Sequence, residues 1–345
     1  MHRDAGQTDL VSAASDTVLR VLRTHAEHPS ALLAINRDTL RFSADGIDGF
    51  IAYRPAGRRH LVMVAGVSAA AGRADELLDR FLAWAASERR QVVAVQMLRD
   101  DAERFARRGF RVNQIGASYG ITLAGFALAG TRFIKLRNKI SRARRCGIVV
   151  AELGKDVALV PGVRHAIEEI DRQWIKEKGT RELEFLVGET GQLDEIDGSL
   201  RRIFVALREG VPVAYILYTA SFGRYAGWMH DLSRRLPDAP AGVMELINSR
   251  AIEIFKAEGA KMLNFGFTPL TSLAPEHELP GSWHRMTAWG FAQLAARGSF
   301  IYPAQTQLQY KMKWSPDVVL PEYVAFEQGG TLSGLWQFLR LTRAI

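Results

Sequence analysis

At 345 residues, 48% apolar and 24% charged, the chain has a globular composition and enough length for two domains rather than one core. A net charge of +8 and a pI near 9.7 call for an anionic partner, whether nucleic acid, an acidic membrane surface or a phosphorylated small molecule. Cys146 is the sole cysteine, which excludes a disulfide framework and a thiolate-rich metal site; with no signal-peptide core after Met1-His2-Arg3-Asp4, a soluble protein of the reducing cytoplasm is expected.

Residues 1–30 read as a polar lead-in with a short amphipathic helix around Val18 to His25. Ala31 to Asn36, Leu40 to Ser43 and Phe50 to Tyr53 read as short strands parted by turn signals such as Ala44-Asp45-Gly46. His60 to Gly66 has the pattern of a buried strand, and Ala74 to Arg89 that of a helix with Leu77, Leu78, Phe81, Leu82 and Ala85 on one face. The most apolar run, Leu61 to Gly72, is too short and too rich in Ala and Gly to cross a bilayer. A strand at Gln91 to Met97, a helix at Asp100 to Arg108 and a strand at Ile121 to Leu123 complete a first unit, 1–130. A basic helix, 131–147, connects it to a second unit, 148–345. There Pro161 to Lys176 is helical, Arg201 to Glu209 and Val211 to Thr219 form a hairpin across Gly210, and Arg224 to Met229 is a strand. Val243 to Glu258 is an amphipathic helix and Met262 to Phe267 a strand. Past Leu294 and Phe300, Leu308 to Trp314 reads as the closing strand. The shared element order resembles two tandem copies of an N-acetyltransferase-like α/β unit with mixed sheets, without any residue-level repeat.

Three clusters carry chemistry. The connecting helix bears Arg132, Lys135, Arg137, Lys139, Arg142, Arg144 and Arg145 with no acid, while Phe133, Leu136 and Ile140 hold it to the body. Such a face binds phosphates without reading sequence; the plainer alternative is a solvated charged surface. Gly147 suits the left-handed position that ends the helix. His230-Asp231 and Arg234-Arg235 are expected just beyond a strand end, where α/β folds place their sites. Asp231 can accept hydrogen bonds from an ammonium or act as a base through water, and the arginines can fork onto phosphate; equally, they make a local ion pair at a turn. Glu245, in the next helix, is a second acid for the same cleft or an ordinary first-turn glutamate. Lys311 and Lys313 alternate with Tyr310, Met312 and Trp314, which puts both on one strand face for anion contact or for edge protection. His284-Arg285 is a weaker loop candidate.

No phosphate-binding Gly-x-x-x-x-Gly-Lys-Ser/Thr loop, Gly-x-Ser-x-Gly elbow, His-Glu-x-x-His helix or paired Cys-x-x-Cys occurs, so neither a metal nor a covalent nucleophile is expected. The Arg/Gln-x-x-Gly-x-Gly/Ala loop that cradles coenzyme A in acetyltransferases is also missing, which argues against an acetyl-CoA donor.

An ordered set of segments runs through Leu128 to Gly147, then Asp231-Leu232-Ser233-Arg234-Arg235 with Asp238-Ala239-Pro240, Gly242 and Met244. It continues in Asn264-Phe265-Gly266-Phe267-Thr268-Pro269-Leu270 and in Lys311 to Lys313. In this order the segments resemble the C-terminal domain of phosphatidylglycerol lysyltransferases, with Trp314 where the family has Phe. This resemblance implies an aminoacyl-tRNA donor and transfer of the aminoacyl group to a hydroxyl or amine, without a cofactor. It implies that Asp231 and Glu245 hold the α-ammonium or assist the nucleophile, with His230, Asn264 and Gly266 around the substrate. Arg234, Lys311 and Lys313 would meet the tRNA acceptor end or the oxyanion, Arg235 the substrate, and the 132–145 helix the tRNA backbone. Two departures, no multi-helix membrane domain and Ala65-Gly66-Val67-Ser68 in place of a Gly-Asp-Pro turn, shift the expectation away from a phospholipid. A stand-alone form acting on a small acceptor is expected instead, resembling the seryl-tRNA-dependent transferases of antibiotic pathways.

Overall fold

The computed structural model describes residues 16–178, 198–297 and 304–327. Within them eleven strands form one continuous sheet, flanked on both faces by helices in a mixed α/β architecture. The first half holds helix α1 (16–25), strands β1 (Leu40–Phe42), β2 (Gly49–Ala56) and β3 (His60–Ala69), helix α2 (Ala74–Ser87), β4 (Gln91–Met97), α3 (Arg99–Arg107) and β5 (Arg111–Thr122). Helix α4 (Ile134–Arg145) leads to β6 (Ile148–Glu152), α5 (Pro161–Lys178), β7 (Arg201–Arg208), β8 (Val211–Ser221) and β9 (Gly227–Arg235). Helix α6 (Val243–Ala257), β10 (Met262–Pro269), α7 (Arg285–Arg297), α8 (Ala304–Met312) and β11 (Val318–Phe326) follow. The strand order is β1-β2-β3-β4-β11-β5-β10-β9-β8-β7-β6.

The helices form where the apolar spacing demands them. Leu77, Leu78, Phe81 and Ala85 of α2 are all buried against β2, β3 and β4, and each large side chain so covered stabilises the fold by about 1.5–3 kcal/mol. Leu136, Ile140 and Ala143 do the same for α4 over α6. Gly242 makes that crossing possible: a Cβ there would lie 2.2 Å from the Lys139 carbonyl oxygen.

Two strand pairs are parallel, β3–β4 and β9–β10, each joined by a helix on one face; the other pairings are antiparallel. The same β-helix-β unit thus recurs in each half of the sheet. β11 enters between β4 and β5, so a strand from the end of the chain completes the sheet of the first half.

Several local expectations are corrected. Ala31–Ile35 is a short 3-10 helix rather than a strand. The strand expected at Ile121 to Leu123 is the end of the twelve-residue β5. The strand expected at Arg224 to Met229 starts at Gly227 and runs on to Arg235, so His230 to Arg235 lie in it and not past its end. Leu308 to Trp314 is not a strand: Ala304–Met312 is helix, and Lys311 and Lys313 do not share a strand face. Phe300 and residues 1–15 lie outside the described residues.

Candidate functional site

The parallel pairing of β9 with β10 runs from Gly227–Met262 to Met229–Asn264 and then stops. Beyond it the strands part, aided by a bulge between His230 and Leu232 on the β8 side and by Gly266 in the left-handed region at φ +68. The gap is a cavity of about 300 Å³. One wall carries His230, Asp231 and Ser233 of β9, the opposite wall Phe265, Gly266, Phe267 and Pro269 of β10. Helix α8 closes one side with Thr306, Gln307, Tyr310 and Lys311, and Met244 comes from the first turn of α6. Ser30 and Gln96 reach in from the first half.

Lys311 is the buried cation of this cavity. Its ammonium donates to the carbonyls of Gly266 at 2.6 Å and Phe267 at 3.1 Å, and it lies over the Tyr119 ring. Burial pushes its pKa down to about 7, against the opposing charge of Glu322. An ammonium has three N–H donors, so one remains for a ligand.

His230 is hemmed in by Tyr218, Phe265 and Tyr310. Burial, then the Lys311 charge, push its pKa down to about 3 against a bond to Asn248, so the ring is neutral at physiological pH. Asn248 is the hub behind it: the Tyr218 hydroxyl donates to Asn248 Oδ1 at 2.5 Å, and Asn248 Nδ2 donates to the Tyr310 hydroxyl at 2.5 Å. The network fixes the wall on which Asp231 sits.

The other expected site residues divide. Glu245 is buried and does not line the cavity; its carboxylate takes Lys313 at 3.0 Å and Lys139 at 3.4 Å. Burial raises its pKa, but the Lys313 contact outweighs this and holds the carboxyl below its ordinary value. It therefore ties α4, α6 and the end of α8 together. Arg234 points to the other face of the sheet, paired with Asp171 at 2.8 Å and stacked on Trp174 of α5. Arg235 donates to the carbonyls of Leu236 and Pro237 at the following turn. Asn264 is buried and bonded to the Tyr225 carbonyl, pinning the last paired rung before the strands part. His284 bonds Thr287 at the start of α7, away from the cavity.

Arg132, in the 3-10 turn before α4, and Lys135, Lys139, Arg142, Arg144 and Arg145 on α4 are exposed, while Arg137 turns back to the carbonyls of Leu128 and Gly130. Arg132, Lys135, Arg142, Arg144 and Arg145 make no ion pair among the described residues. Gly147 closes the helix at φ +75, as its sequence position calls for. Through Gly242 and the Lys139–Glu245 pair, this basic face abuts the first turn of α6, whose Met244 lines the cavity.

Sequence reasoning passed over Ser30, Gln96, Asn248, Tyr310 and Glu322. One signal was available for Gln96: it interrupts the apolar run Val92-Val93-Ala94-Val95 of a buried strand. Among the described residues no cluster of His, Cys, Asp or Glu suits a metal ion, and no helix is long and apolar enough to cross a membrane.

Comparison with known proteins fits this geometry. The family model described as phosphatidylglycerol lysyltransferase, C-terminal, matches residues 19–326. The lysylphosphatidylglycerol biosynthesis bifunctional protein LysX of Mycolicibacterium gilvum is 25% identical over 231 residues, which is 66% of this chain but only 20% of that protein. The structure of L-PGS from Bacillus licheniformis superposes with a TM-score of 0.76 at 20% identity, covering 94% of this chain and 95% of that one. The C-terminal domain assigned to a lysylphosphatidylglycerol synthetase of Agrobacterium fabrum gives 0.75 at 19% identity, with the same coverage. The two superpositions establish a shared fold, and the match over residues 19–326 establishes the family: this chain belongs to the phosphatidylglycerol lysyltransferase C-terminal family of aminoacyltransferases.

Proposed function

We propose that the protein moves an amino acid from its tRNA ester to a small hydroxyl, amine or hydroxylamine acceptor in specialised metabolism in the cytoplasm, with serine as the first amino acid to test. The observation that carries this is the cavity with Asp231 and Lys311 on its walls, beside a basic face whose Lys139 pairs with Glu245 of the same helix turn that brings Met244 to the cavity. Asp231 accepts hydrogen bonds from the α-ammonium. The remaining N–H of Lys311 meets the ester carbonyl oxygen as the acceptor attacks. A bond forms from the acceptor heteroatom to the carbonyl carbon, negative charge gathers on the oxygen, and collapse expels the ribose hydroxyl of the tRNA, which takes up the acceptor's proton. One such donor contributes on the order of 3 kcal/mol to the transition state. Because the ester is already activated, positioning supplies much of the rest, with effective molarities of about 10⁵ M or more. Glu245 acts at one remove, by holding Lys313 and the α4 helix against the site.

Arg132, Lys135, Lys139, Arg142, Arg144 and Arg145 supply sequence-independent contacts to the tRNA backbone. No cofactor is called for. The start of α6, where acetyltransferase-like folds present free N–H groups to a pyrophosphate, is crowded by the Lys139 carbonyl. This supports tRNA rather than coenzyme A as the donor. A lipid acceptor is the second reading, favoured by the name of the matched family, and peripheral contact with a membrane would serve it.

The test is incubation with a mixed pool of aminoacyl-tRNAs, following which amino acid leaves its tRNA with each acceptor. Protection of every ester in the pool against release, with small acceptors and with phosphatidylglycerol vesicles alike, would sink the proposal. Changing Arg142, Arg144 and Arg145 together to Ala should weaken tRNA binding and lower its log–log salt slope by roughly 2–3, with turnover at saturating tRNA retained.

A further inference from the structure

Gln96 combines three properties that a purely structural glutamine has no reason to share. It sits at the end of β4 with a left-handed backbone, φ +49, which is strained for a residue with a side chain. It is 3% exposed. Its amide oxygen meets no hydrogen-bond partner among the described residues, although the residue lines the cavity. Buried polar atoms are nearly always satisfied, and an orphan on a side chain that lines a cavity marks a place where a ligand can supply the missing partner.

Ser30 of the first half also lines the cavity, 3% exposed, and among the described residues its hydroxyl donates to the Met229 sulfur at 3.4 Å, a poor acceptor. Its backbone N–H donates to His28 Nδ1 at 3.0 Å, which holds the loop in place. Behind this wall lies Glu322 of β11, fully buried; Ser118 donates to it, and His28 Nε2 lies 3.5 Å away. The charge of Glu322 is opposed by that of Lys311, so the wall presents neutral groups to the cavity.

The cavity thus has charged walls from the second half, Asp231 and Lys311, and an uncharged polar wall from the first. If Asp231 takes the α-ammonium and Lys311 the carbonyl oxygen, the remaining substituent of the amino acid is its side chain. We infer that Gln96, together with Ser30, reads the side chain of the transferred amino acid, and that this side chain is uncharged and hydrogen-bonding, of the hydroxyl or carboxamide class. This rests on the aminoacyl reading of the cavity given above. It assigns a binding role to the first half of the molecule, and it gives the strained backbone of Gln96 a purpose.

Titration calorimetry with amino-acid amides tests it on the whole protein. The wild type should bind serine amide or asparagine amide about tenfold more tightly than alanine amide, the worth of one well-made buried hydrogen bond, and lysine amide no better than alanine amide. Gln96→Leu should level serine amide with alanine amide while leaving alanine amide unchanged. Gln96→Gly, which relieves the left-handed strain, should melt at a higher temperature and yet lose the preference. Ser30→Ala should reduce it in part. Equal binding of serine, asparagine and alanine amides by the wild type, tightest binding of lysine amide, or a preference that survives Gln96→Leu would overturn the inference and leave the aminoacyl reading standing. Failure of every amide to bind would overturn both. Asp231→Asn separates the two, since it should weaken all the amides alike.

Discussion

The two parallel strand pairs are built alike and end differently. β3 and β4 pair from His60–Gln91 to Val64–Val95 and then part, with Ala65, Gly66 and Gln96 all in the left-handed region. β9 and β10 part after Met229–Asn264, with Gly266 in that region. In the first gap the Asp101 carboxylate sits under Gly66, accepting the Val67 N–H at 3.3 Å and pairing with Arg104 at 3.1 Å. In the second gap lies the cavity. The connections explain the difference. Helix α3 begins at Arg99, two residues after β4 ends, and its first turn is forced over the opening. After β10 ends at Pro269, the next α-helix begins only at Arg285, so no first turn closes the gap. One backbone device gives either a filled core or a site, and the length of the following connection decides which.

The largest effect should come from exchanging the acids of the two gaps. Asp231→Asn should lower aminoacyl transfer by about 10²-fold, since a hydrogen bond to a charged group contributes about 1.5–3 kcal/mol and the ammonium loses its counter-charge. Asp101→Asn should leave turnover within about twofold, because its carboxylate faces Gly66 and Arg104 rather than the cavity. Single-turnover rates with purified aminoacyl-tRNA measure both. Comparable losses for the two variants would show that the first gap takes part in the reaction.

A smaller contrast lies in the glycines. A Cβ on Gly66 would fall 1.9 Å from Asp101 Oδ2 at a φ of +76, whereas a Cβ on Gly266 would meet nothing closer than the Met229 sulfur at 3.6 Å. Gly66→Ala should therefore cost about 2–4 kcal/mol in urea unfolding, from strain and collision together, and Gly266→Ala about 1–2 kcal/mol from strain alone. Adding Asp101→Ala should restore part of the Gly66→Ala loss and none of the Gly266→Ala loss. A common value for both glycines would mean that the first gap is not filled as described.

Much of this contrast was hidden in the sequence, and for identifiable reasons. Helices α2, α4 and α6 announce themselves through apolar stripes. β5 does not, because Asn113, Gln114, Gly116, Ser118 and Gly120 give it the composition of a loop. Distant partners help to satisfy their polar groups, Gln114 donating to the Ser272 carbonyl and Ser118 to Glu322. β11 contains Pro321, which argues against a central strand; it is accommodated opposite Ala117, next to a bulge at Glu322 and Tyr323. α8 was disguised because its buried position is Lys311, and a buried lysine breaks the apolar stripe that would reveal a helix. Asp231 and Lys311 stood out as residue types, but their meeting in one cavity depends on the strand bulge and on the approach of α8, neither of which a local pattern encodes.

The finest distinction between the gaps is in their response to pH. Burial raises the Asp101 carboxyl above its ordinary 3.8, against the Arg104 charge, so the folded protein binds a proton there that the unfolded chain has released. Its contribution to stability is complete below pH 3.8 and declines as pH rises through the folded value. Lys311 behaves in the opposite sense. Its folded pKa of about 7 lies below the ordinary 10.5, so between those values the unfolded chain binds more protons and stability rises with pH. The difference in unfolding free energy between wild type and Lys311→Met should therefore increase from about pH 7 toward 10.5 and be level below 7. If the ammonium form serves the oxyanion, the transfer rate should fall over the same window in which the Lys311 contribution to stability grows. Lys311→Arg, which stays charged, should flatten the alkaline fall in rate even if the rate itself is lower. A rate that instead rises above pH 7 in the wild type, and not in Lys311→Met, would make the neutral amine the working form and turn Lys311 from an oxyanion donor into a base.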